Sequence, residues 1–157
     1  MEINEALSAC VKVLQSKNDT VVVAESCTGG GVAYYLTQLP GSSAWLESGF
    51  VTYTNEAKQH LLGVRQRSLN DFGAVSEKVA EEMLAGALKN SNASVGVAIT
   101  GIAGPEGATP DKPVGTVCFA AQRKGETPMT KTCQFLGERE AIRTQSICEA
   151  LFLLGAL

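Results

Sequence analysis

The residues best suited to chemistry sit in Ala24-Glu25-Ser26-Cys27-Thr28-Gly29-Gly30, where a β-branched apolar run gives way to glycines. A turn from strand to helix leaves amide groups pointing outward, and the helix dipole there favours negative charge. Such a turn can hold a phosphate, or steady the oxyanion formed when a serine attacks a carbonyl. From spacing alone, capping a helix is the commoner use for Ser26 or Thr28. The run lacks the Gly-Lys-Ser/Thr ending of a Walker A loop and the G-x-S-x-G pattern of the α/β-hydrolase elbow. Cys27, at the same helix N-terminus where a thiol pKa falls, is the second candidate nucleophile.

A serine nucleophile needs a base. His60 is the sole histidine, beside Leu61-Leu62, where packing or exposure fits better than catalysis. A desolvated lysine can take the proton instead. Lys58 is the best placed, opening a helix after a strand end with Tyr53 and Asn55 beside it. Tyr53 would relay or orient the proton, or pack at the strand end. The segment from Thr100 to Gly107 has glycines at 101, 104 and 107, suiting a ligand cradle or a tight connection equally. Arg139 and Arg143 share a helix face four residues apart, where they hold a phosphate or pair with Glu138 and Glu140.

No His, Cys and carboxylate cluster has metal-ligand spacing and no G-x-G-x-x-G is present, so neither a metal nor a dinucleotide cofactor is expected. The formal charge of −3 gives no footprint for nucleic acid. Five cysteines without a C-x-x-C pair suit reduced thiols in the cytoplasm. The acidic start is unlike a secretory signal, and no apolar run reaches the roughly 18 to 20 residues that span a bilayer. The apolar tail 150–157 reads as a helix end packed on the core or on a partner subunit, hence an expected homodimer.

Positioning these residues requires strands alternating with helices. Ile3 to Gln15 has three- and four-residue apolar spacing and predicts a helix. Thr20 to Ala24 reads as a strand buried on both faces. A helix follows the Ser26 turn to about Leu39, before Pro40-Gly41. Further strands are expected at Leu46–Thr54, Ser94–Thr100, Val114–Ala121 and Met129–Phe135. Further helices are expected at Asn55–Leu62, from Ser76 to Lys89 and from Glu138 onward. The short link after Ala121 makes a hairpin, which forces one antiparallel strand. The expectation is one domain spanning 1–157, a three-layer α/β/α sandwich with a mixed, mostly parallel sheet of about five strands. The Ser26 turn, the 53–58 segment and the 100–107 loop then meet beyond the strand carboxyl ends, where open α/β sheets bind ligands.

Several longer stretches carry a family resemblance: the Ser26 turn, Pro40-Gly41-Ser42-Ser43, Gly49 to Lys58, Gly73-Ala74-Val75-Ser76, Thr100 to Pro105 and Lys112 to Val117. Together they resemble the CinA C-terminal domain family, whose stand-alone members include nicotinamide-nucleotide amidases. The resemblance implies an α/β/α domain and hydrolysis of the carboxamide of nicotinamide mononucleotide, in pyridine-nucleotide salvage. It implies Ser26 as nucleophile with Tyr53 and Lys58 activating it. It implies a substrate site from Thr28, Gly29, Gly30, Asn55, Thr100, Gly101, Ala103 and Gly104, with Arg139 and Arg143 near the phosphate.

Two positions depart from the family pattern. Gly137-Glu138-Arg139 stands for Gly-Asp-Arg, and Gly107-Ala108 for a glycine pair. They motivate two alternatives to the amidase: a protein that binds the nucleotide without turnover, and a hydrolase of another amide.

Overall fold

Four apolar residues in a row and a closing glutamate, Val21–Glu25, form the first strand (β1), and every one is buried. Such a strand must lie inside a sheet covered on both faces. The computed structural model describes residues 2–157 and places β1 there. The sheet runs β2-β1-β3-β4-β5, with β2 at Leu46–Val51, β3 at Val95–Gly101, β4 at Thr116–Arg123 and β5 at Met129–Gln134. β1 is parallel to β2 and β3, whereas β4 is antiparallel to both β3 and β5. The reversed strand that the hairpin demands is therefore β4, and the other four point one way.

Alternate side chains of the strands enter opposite layers. Val21, Val23, Val95, Val97, Ile99 and Phe119 pack with α1 (Ile3–Lys17), α2 (Gly31–Leu36) and α6 (Arg139–Gly155). Val22, Ala24, Ala98 and Ala120 pack with α5 (Glu77–Lys89), with Leu62 at the end of α3 (Asn55–Leu62) and with Leu69 of α4 (Gln66–Phe72). The fold is the expected three-layer α/β/α arrangement. The apolar tail lies within α6 as far as Gly155, with Ala150, Leu151, Leu153 and Leu154 buried and Phe152 facing outward. No helix among the described residues is long and apolar enough to cross a membrane.

Three elements differ from the sequence expectation, the simplest being β2, which ends at Val51 rather than Thr54. The helix after Ser26 begins only at Gly31, because Gly29 and Gly30 take φ of 61° and 97° and bend the chain left-handed first. It ends at Leu36, three residues early, with the Thr37 hydroxyl bonded back to Tyr34 O. Helix α4 was not foreseen. Only Ser68 and Leu69 of it are buried, too few to print an apolar period on the sequence.

Asp19 ties the far end of the sheet together. Its carboxylate, 4% exposed, accepts two bonds from Arg123 at 2.7 and 2.8 Å and one from Ser94 at 2.9 Å. The starts of β1 and β3 and the end of β4 are thereby joined. The Arg123 hydrogen bonds hold the Asp19 carboxyl below its ordinary range. A depressed carboxyl contributes stability above its unfolded pKa of about 3.9 and loses it as pH falls through the folded value. Asp19→Asn should therefore cost about 2 kcal/mol at pH 7. In urea unfolding, the gap between variant and wild type should narrow below about pH 4; a gap constant down to pH 2 would refute this assignment.

Candidate active site

The register puts Glu25, the last residue of β1, beside Val51 of β2 and Ile99 of β3. β1 and β2 thus end side by side, and β3 runs two residues further, to Gly101. Ser26 follows β1, with its amide bonded to Ile99 O at 3.0 Å. After β2 the chain passes Thr52 and Tyr53 into α3, whose N-cap Thr54 accepts from Ala57 N at 3.0 Å. Lys58 and Leu62, four apart, form the buried face of α3. The lysine is therefore driven inward by helix periodicity.

There it meets the serine. Lys58 Nζ lies 3.0 Å from Ser26 Oγ and 3.3 Å from the Tyr53 carbonyl oxygen. Lys58 is 2% exposed and Ser26 7%. Burial pulls the lysine below its ordinary pKa, because the ammonium is deprived of water. Tyr53 contacts Lys58 through its backbone. Its phenol, 57% exposed, instead accepts a hydrogen bond from Arg139 Nη2 at 3.0 Å.

The third wall comes from β3 and the loop after it. Thr100 turns its hydroxyl to Ala74 O at 2.9 Å, anchoring the segment before α5. Gly101 lets this wall come close: a Cβ there would lie 2.8 Å from Val117 Cγ2 and 3.1 Å from Cys27 Sγ. Arg139 closes the outer side, donating to Gly104 O at 2.7 Å. The resulting cavity measures about 220 Å³. Ser26, Tyr53, Asn55, Lys58, Thr100, Gly101, Ala103, Gly104 and Arg139 line it, as do Ala74 and Val75. The last two had no assigned role in the sequence, although Gly73-Ala74-Val75-Ser76 stood out there.

Four expected substrate residues do not line this cavity: Thr28, Gly29, Gly30 and Arg143. Thr28 is fully buried, with its hydroxyl turned to Glu25 Oε1 at 2.6 Å. Gly29 and Gly30 form the left-handed bend into α2. Arg143 donates from Nε to Cys27 O at 3.0 Å and from Nη2 to Thr28 O at 3.3 Å. It braces the serine turn from behind.

Glu25 is the residue that sequence reasoning missed. Its carboxylate accepts from Val32 N at 2.9 Å and Ala33 N at 3.0 Å as well as from Thr28. The amides expected to serve an oxyanion at the start of α2 are already bonded to it. A charge closing a fully buried strand, just before a helix, was the available signal. Among the described residues no His, Cys, Asp and Glu cluster could hold a metal ion.

The model of the CinA C-terminal domain family matches residues 4–157. The nicotinamide-nucleotide amidohydrolase PncC of Escherichia coli strain K12 is 49% identical over 152 residues, covering 96% of this chain and 90% of that protein. A putative competence-damage inducible protein of Symbiobacterium thermophilum is 48% identical over 93% of this chain, which spans 37% of that longer protein. The crystal structure of the competence/damage inducible protein CihA from Agrobacterium tumefaciens superposes with a TM-score of 0.95 at 41% identity, covering 99% of this chain and 95% of that one.

Cys27 also lines the serine cavity, but its burial works against it as a nucleophile. It is 5% exposed, and burial pushes its thiol up to about 12. Peptide mapping after iodoacetamide treatment at pH 8 should find Cys27 unmodified in the folded protein and alkylated in urea. Ready labelling of the native protein would contradict that.

Proposed function

This chain belongs to the CinA C-terminal domain family, and from that premise we propose that it hydrolyses the carboxamide of nicotinamide mononucleotide to nicotinate mononucleotide and ammonia. The observation that carries the reading is the buried contact of Ser26 Oγ with Lys58 Nζ at 3.0 Å. The name of the 49% identical Escherichia coli relative supports the substrate. Salvage of pyridine nucleotides is the role such a reaction serves.

In the proposed mechanism the neutral Lys58 amine takes the Ser26 proton as Oγ attacks the carboxamide carbon. The Tyr53 carbonyl, accepting one amine hydrogen, orients the amine toward the serine. Lys58 then returns the proton to the leaving nitrogen, and ammonia departs. Water, deprotonated by the same amine, attacks the acyl carbon. The amine passes that proton to Ser26 Oγ as the acyl–Oγ bond breaks, and the acid released ionises to the carboxylate, its proton passing to ammonia. Desolvation supplies what this needs, a lysine that is neutral at lower pH than usual.

Arg139 suits the phosphate. It borders the serine cavity and an adjoining hollow of about 540 Å³ that shares Ala103 and Gly104 with it. Its guanidinium now bonds two uncharged oxygens, Gly104 O and Tyr53 Oη, and a phosphate would be a stronger partner. The Gly137-Glu138-Arg139 departure leaves this arginine at the cavity. With Ser26 and Lys58 already in contact as well, turnover is better supported than binding alone.

Ser26→Ala and Lys58→Met should each lower ammonia release from nicotinamide mononucleotide by about a thousandfold or more. Full activity in Ser26→Ala would defeat the mechanism. Because the neutral amine is the working form, kcat/KM should climb with pH to a plateau whose midpoint lies below the ordinary lysine value of 10.5. Arg139→Ala should raise KM by about tenfold with a smaller change in kcat. An unchanged KM would remove Arg139 from the phosphate.

A further inference from the structure

Glu25 is 0% exposed, and among the described residues no cation forms an ion pair with it. A buried carboxylate without a cation is costly unless its oxygens are well bonded. Here both are: Oε1 accepts the Thr28 hydroxyl and Val32 N, and Oε2 accepts Ala33 N. Each partner is a donor, which suits an oxygen pair that only accepts.

What matters is where those donors lie. They are three, seven and eight residues further along the chain. The bonds therefore cinch a loop from Glu25 to Ala33, and Ser26, Cys27 and Thr28 are inside it. The N-cap of α2, Gly30, makes no side-chain cap of its own. With φ at 97° that position strains any residue with a side chain, so a local serine or aspartate cap is not open to it. A carboxylate reaching from the strand end does something a local cap cannot, which is to fix the turn to the helix it leads into. The Glu25 backbone is fixed too, its carbonyl accepting from Thr52 N at 2.9 Å. From the other side Arg143 grips the carbonyls of Cys27 and Thr28.

We propose that Glu25 is the positioning residue of the nucleophile, holding the Ser26 turn through Thr28, Val32 and Ala33 so that Ser26 Oγ stays within bonding distance of Lys58. It touches neither substrate nor the reacting atoms. The kinetic part rests on the amidase reading above, whereas the structural part does not.

The test uses Glu25→Gln with the pair Thr28→Val and Thr28→Ser in the full chain. Glutamine puts an amide donor against one of the bonded donors, and valine deletes the hydroxyl arm while keeping the shape. For folded Glu25→Gln and Thr28→Val, kcat on nicotinamide mononucleotide should fall about ten- to a hundredfold, as misplacement of a reacting group does. KM should stay within about twofold, and Thr28→Ser should restore kcat. Crystals of Thr28→Val should show Ser26 shifted or split, beyond the 3.0 Å contact with Lys58. An intact contact in that crystal overturns the proposal, as does wild-type kcat in Thr28→Val or failure of Thr28→Ser to rescue. If Glu25→Gln does not fold, the Thr28 pair decides. If the wild type releases no ammonia, the amidase reading fails, and the crystal comparison still decides the role of Glu25.

Discussion

A lysine amine and a serine hydroxyl share one hydrogen bond in a space nearly closed to water, and much of the architecture follows from keeping them there. An ammonium resists burial because it gives up strong hydration. Something must hold Lys58 inside, and three features do. The helix bearing it is capped by Thr54 and fastened by Leu62 on the same face. Gly86 of α5 lets that helix approach so closely that a Cβ there would lie 2.0 Å from Leu62 O. The Tyr53 carbonyl receives a second amine hydrogen. The same confinement that makes the amine costly to bury makes it able to accept a proton.

The serine side obeys a complementary logic. Ser26 stands on a turn closed by two backbone bonds, Gly29 N to Ser26 O and Gly31 N to Thr28 O, each at 3.0 Å, and the chain bends left-handed at Gly29 and Gly30 before α2 begins. Two bonds leave so short a turn dependent on its surroundings as well. Glu25 takes its donors and Arg143 takes its carbonyls, one charge of each sign on opposite polarities of the same peptide stretch. Small residues let α6 close over it: a Cβ at Gly31 would lie 2.6 Å from Ile147 Cδ1.

The layers, the strands and the presence of one reversed strand were legible because they follow from apolar runs, turn residues and one short connection; that β4 is the reversed one was not. Ser26, Lys58 and the 100–104 wall were legible because parallel strands bring their carboxyl ends together, whatever lies between them in sequence. Glu25 was not, since a glutamate at a strand end usually meets solvent, and only the returning helix buries it. Arg143 shows a different limit. Helix periodicity places it on the face of Arg139, yet one turn of rise separates an arginine at the cavity from one behind the serine turn. Helix α4 escaped because two buried residues leave no period to read.

The β4–β5 hairpin shows how completely the molecule divides into two poles. Arg123, at the end of β4, pairs with Val95 at the start of β3, so the turn beyond it projects from the end of the sheet opposite the serine. Gly125 at its tip has no atom within 4 Å of where a Cβ would stand. A linker grafted at that tip would tether the molecule to a support with its serine cavity turned toward the bulk solution, so the fold carries its own handle for oriented immobilisation.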